Sequence, residues 1–224
     1  MEKINGGPFA GYIAGGLGGV ISTYPDVKKY TDKVFTKQAQ KDLDFPKKHC
    51  QGDITSHFHF KNFYDKSFST VGKRFLYEPV IQNTLNELTM GVNPEFTPDT
   101  PVLMVHGISD EVAPYEAAHT TYKSWCKNGA DVEFVNFANP VSAHGVTTVT
   151  SSVPGFLWIR DRLQGKPVQS GCRESKNYDV GINSHALGED FESALGLLKG
   201  LLGDKIGPND QYLKDALHKW AIGS

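Results

Sequence analysis

The second half of this 224-residue chain alternates short apolar segments with helix-like segments, and this order limits the fold more than any other feature. PVLMVHG at 101–107 has the length and apolar content of a strand buried on both faces, and VEFVNF at 132–137 predicts a second strand. A helix is expected between them over Tyr115–Lys127, and another over VPGFLWIRDRLQG at 153–165. Alternating strands and helices predict an α/β fold with a parallel sheet.

An acid and a histidine follow the ends of these two predicted strands. Asp110 lies in the loop after the first strand, and His144 lies in the loop after the second. Functional groups of doubly wound sheets collect at this edge, outside the carboxyl ends of the strands. A carboxylate that accepts a hydrogen bond from an imidazole fixes its tautomer, so that the other ring nitrogen can act as a general base. The pair therefore predicts the second half of a Ser…Asp…His triad.

Each of the two residues also has a simpler interpretation. Asp110 precedes Pro114 and could form a turn or cap the helix that follows. His144 lies between two small residues, where an ordinary surface histidine would also fit. Matching positions in consecutive units favour a functional pair over two unrelated residues.

The first 97 residues predict a mainly helical region. Helices are expected over Phe9–Tyr24, Tyr30–Lys41 and Pro79–Met90. The segment 45–77 is rich in aromatics, lysine and histidine but has no sustained period. It therefore predicts a loop-rich part of a cap.

Three regions are expected along the chain. A helical cap or lid occupies 1–97 and ends at the turn-rich linker NPEFTPDTP. The α/β core that carries the acid and the histidine occupies 98–172, and a helical tail occupies 173–224. In this tail FESALGLLKGLLG predicts an amphipathic helix, whose apolar face is expected to pack on the protein's own core.

Composition excludes several classes of protein. The chain has 23 Lys plus Arg against 25 Asp plus Glu, a formal net charge of −2. It has no basic block interleaved with aromatics, so nucleic-acid binding is not expected. No segment reaches the roughly 20 apolar residues that span a bilayer. Glycines dilute the start of the chain too much for a signal peptide, so the chain as written is expected to stay in the cytoplasm.

Several blocks resemble the fungal secretory lipase family, α/β-hydrolases that include Candida-type lipases and trichothecene deacetylases. The first is GGPFAGYIAGGLGGVISTYPDV, near the start of the chain. PVLMVHGISDEVAPYEAA surrounds the acid, WCKNGADVEF follows, and AHGVT and PGFLWIRDRLQGKPVQSGC surround and follow the histidine. The blocks occur in the family's order, and the range from the first block to the last spans about three quarters of the chain.

This resemblance implies the carboxyl-terminal part of an α/β-hydrolase fold with a mainly helical cap. It implies hydrolysis of carboxylic esters without a cofactor, with an ester or lipid as the substrate. For the parent family it also implies secretion. Residue by residue, it assigns the acid to Asp110 and the general base to His144. No metal is implied.

The nucleophile of such a hydrolase is not found in the sequence. The chain contains no Gly-x-Ser-x-Gly, the motif that places the serine on a sharp turn between strand and helix. Three explanations remain open: the sequence is a fragment or truncated gene model, the protein has lost catalysis, or another chain supplies the missing half. The alternative function is a catalytically inactive protein that keeps the cap and binds acyl groups or other small molecules.

The chain has three cysteines, which cannot all pair with one another. The resemblance suggests a disulfide between Cys126 and Cys172. Cys50 is then left over, either because its partner lies in a missing amino-terminal half or because it is a free buried thiol.

Three further features could indicate a binding or catalytic role, but a structural role is expected for each. His57 and His59 would point the same way if extended, but no third metal ligand occurs at a useful spacing. The glycine-rich AGYIAGGLGGV lacks the context of a dinucleotide loop and favours close helix packing instead. His106, at the end of the first predicted strand, is expected to be structural rather than a second base.

Overall fold

The computed structural model describes residues 2–138 and 142–177, which form two compact units. One unit contains residues 2–97 and 111–128, and the other contains 98–110 and the described residues from 129 onward. The tail helix expected over FESALGLLKGLLG lies outside the described residues, as does the short helix expected to end at Trp220.

The first unit is helical. Its α-helices are α1 (Gly11–Thr23), α2 (Pro25–Val34), α3 (Lys37–Asp42), α4 (Gln51–His57), α5 (Pro79–Leu88) and α6 (Tyr115–Lys127), with short 3₁₀ turns at Gly72–Tyr77 and Pro94–Phe96. Helices α1, α5 and α6 confirm the prediction, and α6 does so residue for residue.

The aromatic-rich segment supplies the core of this unit. Four of its phenylalanines are almost fully buried: Phe58, Phe63, Phe68 and Phe75. The ring of Phe35 lies 4.9 Å from that of Phe68 and meets that of Phe75 edge-on at 5.1 Å. Such edge-on and tilted pairs are favourable arrangements of aromatic rings. The segment shows no sustained helical period because Phe58, Phe63 and Phe68 lie outside its helix, and Phe75 lies in a short 3₁₀ turn.

A single helix over Tyr30–Lys41 was expected, and this prediction is wrong. Helix α2 begins at Pro25, because a proline at the first helical position loses no backbone hydrogen bond. The chain leaves the helix at Phe35, whose ring enters the core. Thr36 then caps α3, with its Oγ1 accepting a hydrogen bond from the Ala39 N–H at 3.1 Å.

Close packing explains one glycine of the glycine-rich helix. A Cβ added at Gly11 would lie 2.6 Å from the Cα of Thr55 and 2.7 Å from the carbonyl oxygen of Ile54. Helices α1 and α4 therefore approach more closely there than any side chain would allow.

The second unit is built on a parallel sheet. Strands β1 (Val102–Gly107), β2 (Val132–Phe137) and β3 (Cys172–Asn177) pair in that order, and α7 (His144–Leu163) follows β2. The parallel sheet and the bounds of β2 confirm the prediction. Strand β1 is only partly buried except at Gly107, so its expected burial on both faces is wrong.

Two further features of this unit differ from expectation. Strand β3 occupies residues that were assigned to a helical tail, and α7 begins at His144 rather than near Pro154. His144 is therefore the first residue of a helix, not a residue within a loop.

The predicted disulfide between Cys126 and Cys172 is confirmed, since both residues are disulfide-bonded. Cys50 has a free thiol, but it is exposed, so the alternative of a buried thiol is wrong. Among the described helices, none is long and apolar enough to cross a bilayer.

Candidate active site

Asp110 lies just after β1 and is held by the backbone around it. Its N–H donates to the carbonyl oxygen of Gly107 at 3.2 Å, and the Ile108 N–H donates to Phe137 at the end of β2 at 3.0 Å. The residue is only 4% exposed.

His144 opens α7, with Ala143 as the residue before the helix. Its carbonyl oxygen accepts a hydrogen bond from the Thr148 hydroxyl at 2.9 Å. The helix fixes the backbone of the histidine, while its side chain remains 43% exposed. The imidazole is therefore much more exposed than the buried carboxylate beside it.

The two residues meet as the sequence predicts. His144 Nδ1 lies 3.0 Å from Asp110 Oδ2, within hydrogen-bond distance. A buried carboxylate needs such donors because removing its charge from water is unfavourable. With Nδ1 donating its proton to Asp110, Nε2 carries the lone pair and can accept a proton. This arrangement suits a general base that becomes positively charged during a reaction.

A hydrogen bond connects the loop that carries Asp110 with the residues just before α7. The Ser109 N–H donates to Ser142 Oγ at 3.4 Å, and Ser142 is buried. Gly107 lies beneath this contact, since a Cβ there would overlap the Ser142 carbonyl oxygen and Thr147 Oγ1. A side chain at position 107 would push the backbone at Ser142 away. The placement of His144 beside Asp110 therefore requires glycine at this position.

Replacement of Gly107 with alanine is expected to lower the free energy of unfolding by roughly 1–3 kcal/mol, because the new methyl group must displace the backbone at Ser142. Urea unfolding of the variant measures this loss. Gly145→Ala is the matched control, since a Cβ at Gly145 meets nothing within 4 Å. Equal stability of the two variants would show that the loops are not packed against each other at Gly107.

His106 also faces the acid. Its Nε2 lies 3.8 Å from Asp110 Oδ2, the oxygen that His144 contacts, and its side chain is 14% exposed. The sequence predicts a structural role for His106 rather than that of a second base. The i, i+4 spacing of His106 and Asp110 does not signal this approach, because His106 lies in β1 and Asp110 in the loop after it, whereas that spacing brings side chains together only on a helix.

The histidines proposed as weak metal candidates do not share a site. His57 lies in α4, where its ring stacks on Phe45 at 3.9 Å, so the two histidines are not on one extended segment. Within residues 2–138 and 142–177, no three His, Cys, Asp or Glu side chains are grouped so that they could hold a metal ion.

Comparison with known proteins agrees with the resemblance seen in the sequence. A family model described as secretory lipase matches residues 1–171. The secreted triacylglycerol lipase LIP3 of Malassezia globosa is 89% identical over 219 residues, which cover 98% of this chain and 48% of that protein. Secreted triacylglycerol lipase LIP1 of Malassezia furfur is 36% identical over 213 residues, or 95% of this chain and 44% of that protein.

The fold resembles that of solved lipases. The crystal structure of Candida antarctica lipase A in its closed state matches with a TM-score of 0.71 and 22% identity, covering 88% of this chain and 47% of that one. The fold is therefore part of an α/β-hydrolase fold. The chain spans about half the length of the curated relatives it matches. These relatives are named as secreted, so the expectation of a cytoplasmic location has no support.

Proposed function

The chain belongs to the secretory lipase family, and we propose that Asp110 and His144 are the acid and the general base of a secreted carboxylic ester hydrolase. The observation that carries this proposal is the 3.0 Å contact between a buried carboxylate and an accessible imidazole. Relatives named triacylglycerol lipases support acylglycerols as the substrate class.

In the proposed reaction, His144 Nε2 removes the proton of a serine hydroxyl as the serine oxygen attacks the ester carbonyl. Asp110 stabilises the imidazolium that forms, and the imidazolium then protonates the departing alcohol. Water repeats the sequence on the acyl-enzyme and releases the fatty acid. The 224 residues contain no Gly-x-Ser-x-Gly. The proposal therefore places the serine and the oxyanion-hole donors outside these residues.

A transplant tests this function. The matching 219-residue segment of the 89% identical relative is replaced by this chain, so that the remainder of that relative supplies the serine. The transplanted protein is expected to hydrolyse a p-nitrophenyl ester and to react with a serine-directed phosphonate. The chain alone is expected to do neither.

The two outcomes separate the hypotheses. An inactive transplant that folds would favour the catalytically inactive alternative. Hydrolysis and labelling by the chain alone would place a nucleophile within these 224 residues and contradict the proposed division of the triad.

Binding of an apolar molecule is a second candidate function, because the helical unit contains a suitable cavity. The cavity is open, has a volume of about 170 Å³ and has an almost entirely apolar lining: Ile4, Tyr12, Ile13, Gly16, Leu17, Val20, Val27, Leu76, Ile81 and Leu85. Apolar cavities of about 150 Å³ bind ligands of benzene size. An acyl chain of a few carbons or a small ring would match this volume.

Gly16→Leu is expected to abolish binding of hexanol to this cavity, because Gly16 lines it and the leucine side chain would fill it. Calorimetric titration of the chain with hexanol measures the binding. Gly19→Leu is the matched control on the same helix. A Cβ added at either glycine has no atom within 4 Å, but Gly16 lines the cavity and Gly19 does not. Equal binding by both variants would exclude the cavity as the site.

A further inference from the structure

Phe60 has an unusual backbone conformation. Its φ is 58°, and it is the single non-glycine residue with a positive φ in the described part of the chain. A bulky residue is a genuine outlier in this region, because its Cβ crowds the neighbouring backbone. Asparagine or glycine would adopt the same conformation with less strain.

Surrounding hydrogen bonds hold Phe60 in this conformation. Its N–H donates to the Gly7 carbonyl oxygen at 3.0 Å, and the Gly6 N–H donates to the Lys61 carbonyl oxygen at 3.0 Å. Asn5 Oδ1 accepts from the Phe63 N–H at 2.8 Å. The loop is therefore tied to residues 5–7 at three points, and the strain is imposed by a rigid frame.

The strained side chain contributes little to the core. Phe58 and Phe63, on either side of it, are 2% and 0% exposed, whereas Phe60 is 63% exposed. The folded protein thus holds Phe60 in an unfavourable backbone conformation, although its side chain is exposed to water and contributes little to the core. An observed outlier of this kind points to a function outside the folded core.

We propose that Phe60 anchors the protein to the surface of aggregated acylglycerol. This inference rests on the proposed function, because triacylglycerols are insoluble in water and a hydrolase must adsorb to their surface. An exposed aromatic ring on a rigid loop can enter such a surface with little loss of conformational entropy. The ring of His59 stacks on Phe60 at 4.5 Å and gives the loop a polar flank that remains in water.

Apolar contact, rather than charge, drives this adsorption. Lys61 is the cation next to Phe60, and its Nζ is 3.4 Å from Asp42 Oδ2, so an acid already balances its charge. Adsorption through Phe60 is therefore expected to vary little with salt concentration.

The test is flotation of the full chain with a trioleoylglycerol emulsion coated with phosphatidylcholine. Phe60→Asn is expected to bind roughly tenfold more weakly, the loss produced when partial burial of one phenylalanine is removed. The same variant is expected to melt roughly 2–4 °C higher, because asparagine relieves the strained backbone. Phe96→Asn is the matched control, since Phe96 is similarly exposed at 58% and lacks the positive φ. It is expected to bind like the unchanged chain.

Three results would overturn the proposal. They are unchanged flotation of Phe60→Asn, equal losses for both variants, and adsorption that disappears at high salt. Asp110→Asn is expected to float like the unchanged chain, because adsorption does not need the acid. A failure of catalysis and a failure of anchoring are therefore distinguishable.

Discussion

Replacement of Asp110 with asparagine is expected to lower kcat for ester hydrolysis about 10⁴-fold in the transplanted protein. The 3.0 Å contact with His144 Nδ1 would remain possible for an amide, but an amide can also donate a hydrogen bond. His144 would then adopt the wrong tautomer, and no negative charge would stabilise the imidazolium. The loss corresponds to about 5 kcal/mol of transition-state stabilisation.

Steady-state kinetics with a p-nitrophenyl ester measure this effect, with His144→Ala and a double variant for comparison. The two losses are expected to be far from additive, because the acid acts through the base. Asp26→Asn, at an exposed acid on α2, is the matched control and should retain full activity. A loss of less than tenfold for Asp110→Asn would assign the acid to another residue.

Removal of the disulfide is expected to be the largest change in stability. Cys126 lies in the last turn of α6 and Cys172 begins β3, so the bond closes a loop of about 45 residues, a length for which the chain-entropy model gives about 4 kcal/mol. Total stabilities are about 5–15 kcal/mol, so the double variant Cys126→Ser/Cys172→Ser should lose a large share. Guanidinium unfolding of oxidised protein and of the double variant measures the difference.

Cys50→Ser provides the control for thiol chemistry. Cys50 is exposed and unbonded, so its replacement should change the free energy of unfolding by less than about 0.5 kcal/mol. Equal effects of the Cys50 variant and the double variant would contradict the disulfide assignment.

Local sequence predicts the elements whose hydrophobic pattern and end signals agree. Helix α6 and strand β2 match their predicted bounds, and Gly129 between them has the positive φ expected after a helix end. Strand β3 was missed because CRESKN carries no apolar signal. It forms through its partners in β2: Arg173 pairs with Glu133, and Asn136 donates to Glu174 at 2.6 Å. Strand β3 lies at the edge of the sheet that the described strands form, and charged residues are common on edge strands.

The first half of α7 was missed for a related reason. Its sequence HGVTTVTSS is rich in β-branched and hydroxyl residues, which disfavour isolated helices. In the fold, the hydroxyls of Thr148, Thr150 and Ser152 bond to carbonyl oxygens three or four residues earlier, and the helix continues through Pro154. Tertiary contacts of α7 with β1 outweigh propensity there.

The sequence predicts the two principal residues of the candidate site, but not the contacts that hold them in place. Asp110 and His144 followed from their places after consecutive strands. The contact of Ser109 with Ser142 and the space required at Gly107 depend on how the two loops approach each other. No local pattern in the sequence encodes that approach.

The most direct test of the account is the tautomer of His144 in this chain, read from the ¹⁵N shifts of the imidazole at a pH where the ring is neutral. We predict a proton on Nδ1 and a lone pair on Nε2, because Asp110 Oδ2 accepts from Nδ1 at 3.0 Å. We also predict that Asp110→Ala loses this preference. A proton on Nε2 in the unchanged chain would contradict the assignment of Asp110 and His144 as acid and base.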